Sequence, residues 1–217
     1  MAFILIDAWI VGTSPMLQNR ATEEALSGKT RSNNPGEPDD PRDIAEKKVY
    51  RLPSRQLAMP GAAFARMLRE AGGSHKSKGS RKSIKYLVPS AVQVLDELCG
   101  LYLEDRKTPL KEFEVYSVPV TIPATKGKIM CHRARFNSWS TKVTLRVNND
   151  ILDQQMVRRL MIEGTQQIGL GDWRPEKGGS FGMSDVVEWK IVSSKPPLTV
   201  AERHAGGLKP ASAEAAE

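Results

Sequence analysis

Residues 3–11, FILIDAWIV, form a nearly unbroken apolar run that stops at Gly12. Such a run predicts a central strand, covered on one face and partly on the other. The turn GTSPMLQNR follows, then a polar stretch rich in Pro, Asn and Asp. That stretch, 21–48, reads as a mobile loop of a length usually reserved for function or disorder. At 60–73 the period changes. Pro60 suits a helix's first turn, Phe64, Met67, Leu68 and Ala71 fall on one stripe, and Gly72 with Gly73 ends it. Residues 86–103 are mostly apolar; the first part fits strand or helix, and strand is favoured, with Pro89 interrupting it.

Residues 114–136 alternate on both sides of PATKGK, which predicts a long hairpin with a basic tip. Trp139, Thr141, Val143, Leu145 and Val147 alternate with Ser140, Lys142, Thr144 and Arg146. That is a half-buried strand with a polar, basic outer face. Over 153–168 the residues Val157, Leu160, Met161, Gly164 and Ile168 share a helix face, and close packing on a sheet would explain Gly164. A last strand spans 181–192. The remainder, 193–217, is rich in Pro, Ala and Glu and reads as a disordered tail.

The order is strand, helix, strand, inserted hairpin, strand, helix, strand. The expected fold class is therefore α+β: a ferredoxin-like (RRM-like) β-α-β-β-α-β domain over 1–192, with the hairpin 114–136 inserted and a glycine-rich loop near its C-terminal end. Both helices would cover one sheet face and leave the other open. Open faces and rims of this plan often bind RNA, although a fold alone does not fix function.

Composition narrows the partners. A chain of 217 residues suits one domain with insertions, and its formal charge of +7 favours a polyanionic partner over a plain solvated surface only as a bias. Cys99 and Cys131 make no disulfide framework, which points to a reducing, cytoplasmic setting. His75, His132 and His204 lie far apart and no C-x-x-C or H-x-x-x-H spacing occurs, so neither metal nor cofactor is expected. The start, MAFILIDAWIV, carries Asp7 and reads as a buried strand, not as a leader or membrane span.

The segment 168–182, IGLGDWRPEKGGSFG, combines glycines with charge and a ring. Glycine N–H groups can form anion-binding concavities, Arg174 and Lys177 add charge, and Trp173 offers a stacking plane beside Gly171. The alternative is a plain connector with Trp173 in the core. It is not a nucleotide P-loop, because G-x-x-x-x-G-K-[ST] is absent. A second basic group, Lys76, Lys78, Arg81, Lys82 and Lys85, reads as a mobile phosphate clamp or a solvated loop. Lys126, Lys128, Arg133 and Arg135 on the hairpin would grip a strand, contact a neighbouring subunit, or protect a sheet edge.

Three segments carry a family resemblance: the strand and turn FILIDAWIVGTSPMLQNR, the helix start LAMPGAAFARMLREA, and the glycine-rich loop between last helix and last strand. On these the chain resembles the repeat-associated mysterious protein superfamily, and within it the Cas7-like backbone subunits of CRISPR effector complexes. The likeness spans most of 1–192, and similar chains occur among phage proteins. It implies a protein that coats a single strand, RNA favoured and crRNA-like, and that self-assembles into a filament, with other effector subunits as further partners. It implies that Arg66 and Arg69 face phosphates, that Ser14, Gln18, Asn19 and Arg20 lie where the family touches RNA, and that the hairpin is its thumb. Asp172 and Glu176 depart from the family's more basic loop.

Some relatives cut RNA with an aspartate after the first strand. Asp39, Asp40 and Asp43 are the matching candidates for holding Mg²⁺, in what otherwise reads as an acidic disordered loop. His75 sits in the basic loop, where a base would lack a held position. No nucleophile motif occurs. The expectation is a binding protein and not an enzyme. A metal-dependent ribonuclease and a phage structural or assembly protein are the alternatives.

Overall fold

The computed structural model describes residues 3–22, 40–77, 79–121 and 125–193. The fold is mixed α+β with antiparallel sheets. Strand β1 (Phe3–Gly12) pairs with β10 (Ser184–Ser193) on one side and β9 (Ser140–Asn148) on the other. The apolar run thus became a central strand. Ile6, Ala8 and Ile10 are buried, opposite Leu145, Val143 and Thr141, whereas Asp7 and Trp9 face the other way, opposite Thr144 and Lys142.

Beyond β9 the sheet continues through β6 (Leu98–Tyr102), β4 (Leu57–Pro60) and β3 (Tyr50–Arg51). Strand β5 (Val92–Val94) also pairs with β9. Between β5 and β6 the Asp96 carboxylate accepts the Thr144 N–H at 2.8 Å, filling the gap in the ladder. A smaller sheet joins β2 (Met16–Gln18), β8 (Lys128–Phe136) and β7 (Glu114–Thr121). The hairpin β7–β8 is therefore present, and its residues 122–124 lie outside the described set.

Helix α2 (Gly61–Ala71) buries Phe64, Met67, Leu68 and Ala71, the stripe read from the sequence, and Pro60 is its N-cap. Helix α4 (Gln154–Glu163) is capped by Asp153, whose side chain accepts the Gln155 N–H, and buries Val157, Leu160 and Met161. These side chains join Ile6, Ala8, Ile10, Val143 and Leu145 in one core. Each fully buried large side chain there contributes about 1.5–3 kcal/mol. Both helices thus cover one face. The other carries the Asp7–Lys142 ion pair at 2.5 Å and the Trp9–Tyr102 edge contact.

Four expectations change. The stretch 40–48 is not a mobile loop: Pro41–Glu46 forms helix α1, capped by Asp40. The rest of that loop, 23–39, and the tail beyond Ser193 lie outside the described residues. Residues 86–91 are turn and helix, because Pro89 falls in the first turn of α3 (Val88–Ala91), where its missing N–H costs nothing. The helix predicted over 153–168 widens at its end into a π-turn, Gly164–Ile168. Gly164 meets another helix and not the sheet: a Cβ there would lie 3.0 Å from Met67 Cγ. Among the described residues no helix is long and apolar enough to cross a membrane.

Candidate nucleic-acid interface

The segment 169–183 is laced onto the start of the chain. Asp172 N–H donates to Leu17 O at 2.8 Å, Gly182 N–H to Pro15 O at 2.8 Å, and Met183 N–H to Ser14 Oγ at 2.9 Å. Two glycines make this possible. Gly171 (φ 79°) would set a Cβ 2.3 Å from Leu17 O, and Gly182 (φ 74°) would set one 1.8 Å from Leu170 O. No side chain fits either approach, and both φ values favour glycine.

The lacing creates a cleft of about 440 Å³ between α2, β3–β4 and this segment. Asn19, Arg20, Arg66, Gly171 and Arg174 all line it. They come from three parts of the chain: the stretch just after β2, the helix, and the glycine-rich segment. Arg20 and Asn19 are exposed, and the Arg20 guanidinium lies 5.2 Å from the Tyr50 ring. Tyr50 was missed in the sequence. Its signal was an isolated aromatic among basic residues in KKVYR.

Glu176 organises the cleft's charge. It pairs with Arg66 at 3.1 Å and with Arg174 at 2.5 Å, while Arg174 Nη1 donates to Gly171 O at 2.9 Å. Partial burial pushes the Glu176 carboxyl up, but Arg174 and then Arg66 outweigh it and hold the carboxyl below its ordinary range. The two arginines are thus fixed in place and partly neutralised.

Trp173 and Lys177 face elsewhere. They line a cavity of about 540 Å³ between the segment and the hairpin, with Val118, Val120 and Arg133. Trp173 is 41% exposed, so it is not a core ring. It stacks on Phe181 at 6.0 Å and an interplanar angle of 21°. Arg133 Nε is bound to Asp172 at 2.6 Å, and its Nη1 is buried with no partner. Arg135 Nε is likewise buried and unpartnered. Lys126 and Lys128 are exposed near the hairpin tip.

The other candidates lie outside the cleft or are held by structural hydrogen bonds. Gln18 is buried: its Nε2 donates to Ala58 O at 2.7 Å and its Oε1 accepts the Tyr50 N–H at 3.1 Å, so it is a strut and not a contact. Ser14 is occupied by Met183 N–H and, through its carbonyl, by Trp139 Nε1 at 2.9 Å. Arg69 is exposed on α2 outside the cleft and pairs with Glu70 at 3.0 Å. Lys76, Arg81 and Lys82 also lie outside it, on a loop braced by Ser77 N–H to Lys82 O and Ile84 N–H to His75 O, both at 2.9 Å. His75 is held by Glu163 at 2.5 Å, which corrects its reading as loosely placed. Lys78 and Asp39 fall outside the described residues. Asp40 accepts the Arg42 N–H at 2.8 Å, and Asp43 sits in the first turn of α1. Among the described residues no three His, Cys, Asp or Glu groups gather as a metal site.

Neither a family model nor a curated protein sequence matches the chain. Solved structures do. A chain of the structure described as "Type III-B Cmr-beta bound to cognate target RNA" aligns with 89% of this chain at TM-score 0.54 and 10% identity. This protein shares its fold with that chain. It spans 62% of the length of that subunit. Cmr6 from Pyrococcus furiosus aligns over 86% of this chain and 98% of its own at TM-score 0.44 and 10% identity, and a chain of a Type IV-B CRISPR complex over 91% and 94% at 0.45 and 10%. At 10% identity the likeness to the first of these is one of fold.

Proposed function

We propose that the protein is a Cas7-like backbone subunit that binds a single strand, RNA before DNA, through the cleft between α2 and the glycine-rich segment. The observation that carries this reading is convergence. Asn19, Arg20, Arg66, Gly171 and Arg174, chosen from three separate segments, line one cleft. Cations and a backbone turn aimed at one trough suit phosphates and leave base identity unread. The strand order β10–β1–β9–β5/β6, with both helices on one face, supports the ferredoxin-like reading of the core. The converging residues, however, come from helix and loops and not from the open sheet face. The likeness to a subunit of an RNA-bound complex favours RNA.

We propose binding without cutting and without a cofactor. Asp40 is spent on capping α1. The exposed hairpin, with Ile129 and Met130 in solvent, supports assembly with further copies or with other effector subunits. Heterologous contacts of that kind give open filaments when their rotation does not close. The test is titration of labelled single-stranded RNA over a range of salt, with the RNA recovered afterwards. Affinity should fall steeply with salt, about −0.7 in log–log slope per neutralised phosphate, and the RNA should come back intact with Mg²⁺ present. Cutting that Asp40→Ala or Asp43→Ala abolishes would establish the ribonuclease instead. No binding to any strand would favour an assembly role.

A further inference from the structure

A second aromatic and basic surface lies at the far end of α2 from the cleft. Tyr86 is 79% exposed, the highest value among the large apolar and aromatic side chains of the described residues. Single exposed rings are ordinary. Tyr86 differs in its mounting and its company.

The mounting is rigid. Tyr86 closes a 3-10 turn, Ile84–Tyr86, whose Ile84 is buried. Ser83 Oγ accepts the Lys85 N–H at 3.1 Å and donates to Gly72 O at 2.7 Å, tying the turn to the end of α2. The loop before it is cross-braced from Ser77 to Lys82 and from His75 to Ile84. A ring held this way loses little freedom on stacking.

The company is cationic. Lys76, Arg81 and Lys82 are exposed on the same loop and make no ion pair among the described residues. Lys85, in contrast, is taken by Glu70 at 2.5 Å. A free ring beside three free cations matches the recurring unit of a single strand, a π-face flanked by phosphates.

We propose that Tyr86, with Lys76, Arg81 and Lys82, is a second contact for the same strand: the ring stacks on a base and the cations take the phosphates beside it. The proposal rests on the reading of the cleft given above. The two sites share α2. Arg66 lines the cleft, Arg69 follows one turn later in the open, and Gly72 begins the braced loop. At 1.5 Å per residue the cleft and the loop are about 10–15 Å apart along the helix, within reach of a short stretch of strand.

Two labelled RNAs test this, of about 4 and about 16 nucleotides, the range over which single-strand sites extend. Tyr86→Ala should weaken the longer RNA about tenfold, leave the shorter one unchanged, and be rescued by Tyr86→Phe. Equal affinity of wild type and Tyr86→Ala for the longer RNA overturns the second site and leaves the cleft standing. So does an equal loss on both lengths. A wild-type protein that holds neither RNA overturns the cleft reading and this one with it. Thermal melting of the same variant guards the result: binding unchanged per folded molecule, with earlier melting, makes Tyr86 structural and the proposal wrong.

Discussion

Two loops, each following a helix, carry candidate cations and use them in opposite ways. After α4, the acids of the glycine-rich segment hold cations: Glu176 takes its own Arg174 and Arg66 of α2, and Asp172 takes Arg133 of the hairpin. After α2, the loop 74–86 leaves Lys76, Arg81 and Lys82 unpaired while its backbone is braced. The sequence already sets the two apart, since Asp172 and Glu176 stand in the first loop and 74–86 carries no acid; the fold shows which cations those acids hold. What separates them is acid at short range. The first loop fixes a shape whose cations are oriented in advance, and the second offers charge that salt screens readily.

The largest effect expected from breaking this contrast is on the shape of the first loop. Gly182→Ala forces a Cβ onto Leu170 O at a positive φ. It should cost about 2–4 kcal/mol of stability and lower the melting temperature by about 5–15 °C. A variant that melts with wild type would show that the lacing to Pro15 and Leu170 is not what holds the segment.

Trp173 comes next. It is 41% exposed and lines the hairpin cavity, not the cleft; a strand that runs on from the cleft past the hairpin would stack on it, and Trp173→Ala would then weaken binding by about 1–3 kcal/mol with melting nearly unchanged. Loss of stability with binding per folded molecule unchanged would make the ring structural.

Glu176 gives a smaller effect with a definite sign. Glu176→Gln removes the acid that competes with phosphate for two guanidiniums, so strand affinity should rise about two- to fivefold. A fall in affinity would mean that the carboxylate's positioning outweighs its competition. The same residue fixes a pH response. Its folded pKa lies below the ordinary value of 4.5, so its contribution to stability is present above that value and is lost as pH falls through the folded pKa. The loss of melting temperature on acidification should be shallower in Glu176→Gln than in wild type.

Much of the fold was legible because periodicity reports burial directly. The stripe Phe64, Met67, Leu68, Ala71 and the alternation from Trp139 to Val147 both reappear as buried sets. What stayed hidden depended on partners distant in sequence. Gln18 looked like a polar contact, but its amide lies between the backbones of Tyr50 and Ala58. Gly164 looked like a sheet contact and proved to face Met67. The π-turn after α4 leaves no mark in the hydrophobic pattern. Within the site, charge beside glycines found Arg174 and the family resemblance implied Arg20 and Arg66, but Glu176's hold on two of them required the fold to bring α2 and the segment together.

The central claim is that the cleft takes phosphate, and the most direct measurement is the salt dependence of single-stranded RNA affinity for wild type and Arg66→Ala. Arg66 is exposed on α2 and lies outside the core, so the variant should melt with wild type. The account predicts weaker binding across sequences and a log–log salt slope flatter by about 0.7, the share of one phosphate. Identical slopes and affinities in the two proteins would contradict it.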